Sequence, residues 1–63
     1  MPSDETRRVL RAFGVAVTAY EDALQAGAPP DEMNEAAAEL DFRLGETMAL
    51  IDRLRAVSSV SGH

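Results

Sequence analysis

The sequence predicts an all-α fold, an antiparallel two-helix hairpin that dimerises into a four-helix bundle. Two segments repeat their apolar residues in steps of three and four, the spacing that places side chains on one face of a helix. Residues 27–30 read Gly-Ala-Pro-Pro and separate the two segments. The chain has 63 residues and no cysteine. Because chains shorter than about 70 residues rarely form a sufficient core without disulfides, metals or partners, we expect association with another chain.

The first helix is predicted at about residues 4–26. Ser3 has the hydroxyl of a good N-cap, and Asp4 and Glu5 follow in the first turn, where the helix dipole favours negative charge. Gly27 suits the left-handed residue that ends a helix, and the prolines after it prevent continuation. The apolar stripe of this helix consists of Leu10, Phe13, Val17, Tyr20 and Leu24.

The second helix is predicted at about residues 31–57, because Pro30 suits the first helical position and two acidic residues follow it. Residues 58–63 are mostly small and polar and are predicted to form a disordered tail. His63 is either native or the remnant of an affinity tag. The apolar stripe of the second helix consists of Met33, Ala37, Leu40, Leu44, Met48 or Thr47, Ile51 and Leu54.

The four-residue link makes the two helices antiparallel neighbours, so the numbers of facing residues should sum to about 57 to 59. The two apolar stripes are therefore expected to face each other along the hairpin. Gly14 and Gly45 fall at nearly the same height, where they mark either a close helix crossing or two tolerated glycines. The predicted facing pairs are Leu24 with Met33, Val17 with Leu40, Phe13 with Leu44 and Leu10 with Met48.

Each helix also carries a second apolar stripe, mainly of small residues, which a lone hairpin would leave exposed. The second stripe consists of Ala12, Val15, Ala19 and Ala26 on the first helix and Ala38, Phe42, Gly45, Ala49 and Ala56 on the second. Phe42 is its one aromatic residue and is the expected anchor of a second interface. The predicted interface residues are Leu10, Phe13, Val17, Tyr20, Leu24, Leu40, Phe42, Leu44, Met48, Ile51 and Leu54.

Charge is distributed unevenly along the predicted hairpin, within a net charge of −5. Near the free ends of the helices, five arginines stand against four carboxylates, which gives a net charge of +1. Near the turn, seven carboxylates stand against Arg43 alone, which gives −6. Because unlike charges meet when two such hairpins pack head to tail, the sequence predicts a homodimer with that orientation.

The function predicted from this pattern is a non-enzymatic protein–protein interaction module. It would be a small homo-oligomeric helical bundle that acts as an adaptor, an inhibitor or an accessory subunit of a larger protein. The alternative is a regulator that binds an anionic small molecule such as a nucleotide, because arginines beside a helix N-terminus suit phosphate. The arginines of that alternative site are Arg7, Arg8, Arg11, Arg53 and Arg55.

Other classes of function are disfavoured by composition. Glu21, Glu35, Glu39 and Glu46 are candidate carboxylate donors for a dinuclear metal site, but such bundle sites also use histidines, and the chain has none before His63. No metal, cofactor or catalytic residue is therefore expected. An acidic chain with few aromatic residues is poorly suited to nucleic acid.

The same composition bears on location and source. Apolar runs fall far short of the roughly 20 residues that span a membrane, and the acidic N-terminal residues are atypical of a signal peptide. We therefore expect a cytoplasmic protein without membrane association. All six basic residues are arginine, which with the many alanines suggests a GC-rich bacterial or phage genome.

Overall fold

The computed structural model describes residues 3–61 and the side chains of residues 3–57. This part of the chain forms two α-helices, α1 at Asp4–Ala26 and α2 at Pro30–Ser61. The two helices pack against each other as a hairpin, which confirms the predicted all-helical architecture. The four-helix bundle requires a second chain and stays a prediction.

α1 begins directly after Ser3, which caps it. The Ser3 Oγ accepts a hydrogen bond from the backbone N–H of Thr6 at 3.1 Å, and the Ser3 carbonyl accepts one from the N–H of Arg7 at 3.1 Å. The cap therefore provides a partner for one of the N–H groups that the first turn of a helix leaves unsatisfied. Asp4 and Glu5 lie in that first turn, at the positive end of the helix dipole.

α1 ends at Gly27, which has the left-handed conformation with φ at 67°. The Gly27 N–H donates to the carbonyl of Leu24 at 3.2 Å, and the Ala28 N–H donates to the carbonyl of Ala23 at 3.0 Å. These two bonds form a Schellman motif, which satisfies the last carbonyls of the helix. α2 then starts at Pro30, where a missing N–H costs nothing. The turn therefore follows from the local sequence.

α2 ends at Ser61, four residues beyond the predicted end near residue 57. Residues 58–61 contain neither glycine nor proline, so no residue there breaks the helical backbone. The sequence predicts a disordered tail at residues 58–63, of which residues 58–61 are helical. The last two residues of the chain, including His63, lie outside the described residues.

The register of the hairpin agrees with the one predicted from the length of the link. Arg53 Nη2 of α2 donates to Glu5 Oε1 of α1 at 2.9 Å. The two residue numbers sum to 58, and this contact joins the N-terminal turn of α1 to the C-terminal half of α2. The basic and acidic ends of the hairpin are therefore arranged as the sequence predicts.

The stripe that lies between the two helices overlaps the predicted one in part. Thr47, one of the two alternatives on α2, is buried, and other predicted residues are half-buried: Phe13, Tyr20, Met33, Ala37 and Leu40. Among residues 3–57 only Ala16, Thr47 and Leu50 are buried, at 4%, 8% and 4% exposure. Val17 and Leu24, which the prediction placed against α2, are 41% and 57% exposed. Val17 and Leu24 are therefore not core residues of the single hairpin, and the predicted facing pairs stay a prediction. Leu10, Leu44 and Met48 are exposed as well.

The one buried position of α1 holds a small side chain, that of Ala16. Ala16 belongs to a stripe that also includes Val9 and Ala23. Each of these residues comes one position before a residue of the stripe that includes Val17 and Leu24, so the two stripes are about 100° apart around the helix. Small side chains such as Ala16 allow two helix backbones to approach closely, because interaxial distance depends on the residues at the contact. The buried Thr47 hydroxyl donates to the Arg43 carbonyl at 2.9 Å and so keeps its hydrogen bond.

Gly14 and Gly45 mark no close crossing between α1 and α2. Both are exposed, and a Cβ added at either position would meet no atom within 4 Å. The interpretation of a crossing within the hairpin is therefore wrong, and these glycines are tolerated in it.

The hairpin is a rod with a large surface for its mass. Its principal extents are 51 × 18 × 14 Å, and its radius of gyration is 15.1 Å, where about 11 Å is typical of a compact chain of this length. Its accessible surface is 4935 Å² at a mass of 6.8 kDa, against about 3,950 Å² for a compact monomer of that mass. The surplus of about 1,000 Å² means that the two helices bury little of each other.

Candidate interaction surfaces

One side of the hairpin, here called the arginine face, has two clefts between the helices. The first has a volume of about 370 Å³ and is lined by Arg8, Arg11, Ala12, Val15, Ala16, Ala19, Glu39 and Arg43. The second has a volume of about 410 Å³ and is lined by Glu5, Arg8, Val9, Glu46, Ala49 and Arg53. Both clefts are walled by residues of both helices and share Arg8, so they lie on the same side of the molecule.

Arg43 is the centre of a charged cluster on this face. Its Nε donates to Glu39 Oε2 and its Nη1 to Glu46 Oε1, each at 2.7 Å. Its guanidinium carbon lies 5.0 Å from the centre of the Phe42 ring, a cation–π distance. Hydrogen bonds to Glu46 and then to Glu39 raise the pKa of Arg43 above its ordinary value. The Arg43 guanidinium therefore contacts two carboxylates and the face of one aromatic ring.

The sequence indicated only part of this cluster. The Glu39–Arg43 pair has the i,i+4 spacing of helical ion pairs, which the sequence alone shows. Glu46 follows Arg43 at i+3, a spacing that also brings side chains together, and this signal was missed. Phe42 is 59% exposed, as expected for a side chain outside the contact between the helices. It lies seven residues before Ala49, hence on the same side of α2 as the second cleft.

The opposite side of α1 carries the predicted leucine stripe. Successive residues of an α-helix are turned by about 100°, so Val15 and Val17 lie on opposite sides of the buried Ala16. Val15 lines the first cleft of the arginine face. Val17 therefore lies on the other side of the hairpin, together with Leu10 and Leu24, which are each seven residues away from it.

The same geometry holds for α2. Ala49 and Ile51 flank the buried Leu50, and Ala49 lines the second cleft of the arginine face. Ile51 therefore lies on the opposite side, with Leu44 seven residues before it. Exposed apolar side chains from both helices thus share one side of the rod.

We call this second side the leucine face. Phe13, Tyr20 and Leu40 are half-buried at its middle, next to the contact between the helices, and the others are exposed. Its nine side chains carry no charge. Its members are Leu10, Phe13, Val17, Tyr20, Leu24, Leu40, Leu44, Met48 and Ile51. Exposed apolar patches of this kind mark protein–protein contacts in soluble proteins.

Two of the eleven predicted interface residues lie outside the leucine face. Phe42 belongs to the arginine face. Leu54 is 55% exposed. Facing residues of the two helices have numbers that sum to about 58, so Leu54 lies level with Asp4, the first residue of α1. Little of α1 is therefore available to cover it. Whether any of the eleven contacts another chain stays a prediction.

The five arginines of the alternative anion site are not brought together in one pocket. Arg8 and Arg53 share the second cleft, and Arg8 and Arg11 share the first. Arg7 and Arg55 line neither cleft. Arg53 is already paired with Glu5, and each cleft contains at least one glutamate that opposes an anion. The anion-binding alternative therefore gains no support from the geometry.

Two further findings concern metals and membranes. Within residues 3–57, whose side chains the structure describes, no three histidine, cysteine, aspartate or glutamate side chains are grouped so that they could hold a metal ion. Neither helix, over the described residues 3–61, contains a stretch that is both long and apolar enough to cross a membrane.

Comparison of the chain with family models, with curated proteins and with solved structures found no match.

Proposed function

We propose that this protein is a non-enzymatic protein–protein interaction module that works as a small homo-oligomeric helical bundle. The observation that carries the proposal is the lack of a core in the single hairpin. Only three side chains are buried among residues 3–57, and the accessible surface exceeds that of a compact monomer by about 1,000 Å². A chain with so little buried apolar area gains most of its stability from association.

The two faces of the rod suit two different contacts. The leucine face offers large apolar side chains for self-association into a dimer. The arginine face offers the exposed Phe42, held beside a charged guanidinium, and aromatic residues of this kind are typical anchors of binding surfaces. In this proposal, the arginine face and the acidic turn meet a larger protein in the cytoplasm, for which the module is an adaptor, inhibitor or accessory subunit.

The first test of the proposal is the mass of the protein in solution. We expect sedimentation equilibrium at micromolar concentration to give twice the chain mass of 6.8 kDa, and dilution to lower the mass and the helical circular dichroism together, because folding is linked to association. A protein that sediments as a single chain while remaining fully helical and melting cooperatively would overturn the proposal.

A second test concerns the contact with the larger protein. We expect a Phe42→Ala variant immobilised on a resin to retain that protein from a host extract at least about 10-fold less than wild type, because truncating a central aromatic anchor costs 2 kcal/mol or more. The matched control is Leu54→Ala, an exposed position of α2 that lies outside the leucine face and lines neither cleft, and it should retain as much as wild type. Quantitative mass spectrometry of the retained proteins measures the effect. Equal retention by wild type and Phe42→Ala would show that this face has no such role.

A further inference from the structure

We propose that the leucine face is covered by a second copy of this chain, packed so that the two turns lie at opposite ends of a four-helix bundle. This inference rests on the proposed function, and it assigns the face and the orientation of the contact. It also leaves the arginine face, on the other side of each rod, on the outside of the dimer.

The area of the molecule fits one partner of this size. A stable interface buries about 800 Å² on each partner, and the hairpin exposes about 1,000 Å² more than a compact monomer of its mass. On α1 the leucine face runs from Leu10 to Leu24, which is about 21 Å of helix at 1.5 Å per residue. One more hairpin laid along this face would remove most of the surplus.

A symmetric dimer places each apolar stripe against its own copy. Its two-fold axis lies in the contact plane and is perpendicular to the rods. This axis sets α1 against α1 of the copy and α2 against α2 of the copy, and both pairs are antiparallel. Each apolar stripe then meets an identical apolar stripe. The nine side chains that define the leucine face are uncharged, so they set no charge against their own copies, while Asp41 and Arg55, each seven residues from Met48, flank the face on α2.

The charges of the hairpin select this orientation over the one with both turns at the same end. The turn half carries −6 and the half near the free ends carries +1. With the turns at opposite ends, each strongly acidic half lies beside the weakly basic half of the copy. With the turns together, seven carboxylates of one chain would lie beside seven of the other, which is strongly repulsive.

A pair of matched variants tests the face. Val17 and Val15 are both exposed in the single chain, two residues apart, on opposite sides of α1. We expect Val17→Asp to raise the dimer dissociation constant at least about 30-fold, because it places a carboxylate in the centre of the contact. We expect Val15→Asp to change that constant by no more than roughly twofold, as surface substitutions do. Sedimentation equilibrium measures both, and an equal effect of the two variants would overturn the face assignment.

A distance measurement tests the orientation and does not depend on whether Val17→Asp folds. The chain has no cysteine, so Ala28→Cys, at the turn, provides one spin-label site per copy. Ala28 is eleven residues from Val17, the midpoint of the leucine face on α1, so two opposed turns lie roughly 33 Å apart. Turns at the same end would bring the labels within about 20 Å, given helix spacings of 8–10 Å.

Double electron–electron resonance on the labelled dimer distinguishes these arrangements. A main distance near the longer value supports the inference, and one near the shorter value overturns it. The two proposals also fail in different ways. A wild-type protein that is monomeric and fully folded defeats the proposed function, whereas a wild-type dimer that is indifferent to Val17→Asp, or that shows the shorter distance, defeats only this inference.

Discussion

Replacement of Leu50 by alanine is expected to lower the free energy of unfolding by about 2–4 kcal/mol, the usual cost of truncating a buried leucine. Leu50 is the only large apolar side chain that the hairpin buries among residues 3–57, at 4% exposure. For a domain of this size, that loss corresponds to a fall of roughly 15–30 °C in melting temperature. Urea and thermal unfolding followed by circular dichroism, at one fixed protein concentration, measure the change.

Leu54→Ala is the matched control for this prediction. Leu54 lies one turn further along α2 and is 55% exposed, so its truncation removes little packing within the hairpin. We expect a loss below about 1 kcal/mol at that position. Equal losses for the two variants would mean that Leu50 does not hold the two helices together.

The second large effect is expected for Ala16→Leu. Ala16 is 4% exposed and is the one buried residue of α1. Three additional carbon atoms at this contact push the helices apart or force strained rotamers, which costs about 1–3 kcal/mol. The variant should therefore unfold at a lower urea concentration than wild type.

Ala19→Leu provides the comparison, because it introduces the same residue one turn later on α1, at an exposed position that lines the first cleft. Helix propensity changes equally in both variants, so their difference reports packing alone. If Ala16→Leu were as stable as Ala19→Leu, or more stable than wild type, α1 would be packing through the leucine stripe that its heptad spacing suggested.

The local sequence predicted the helices well, because the signals that begin and end them act over only a few residues. Ser3 caps α1, Gly27 supplies a left-handed residue and Pro30 opens α2. The short link then sets the register, which the contact between Glu5 and Arg53 confirms. The C-terminal end of α2 was harder to predict, because no glycine or proline marks it before residue 62.

The sequence predicted which residues form the leucine face, but it did not predict that most of them lie outside the contact between α1 and α2. Heptad spacing identified Leu10, Val17 and Leu24 as contact residues, and they do form one uncharged stripe. The same spacing fits the neighbouring stripe that includes Ala16 and Ala23 equally well, because the two stripes are offset by one residue. Periodicity alone does not distinguish between two adjacent apolar stripes of one helix.

The sequence by itself therefore determined two helices, their ends near the turn, their antiparallel register and the separation of acidic and basic ends. The tertiary structure decided which side of each helix faces the other. Ala16 of α1 and Leu50 of α2 lie at the contact, with Phe13, Tyr20 and Leu40 half-buried beside it. Two adjacent apolar stripes have the same period, so only the packing of one helix on the other decides that Leu10, Val17 and Leu24 remain exposed.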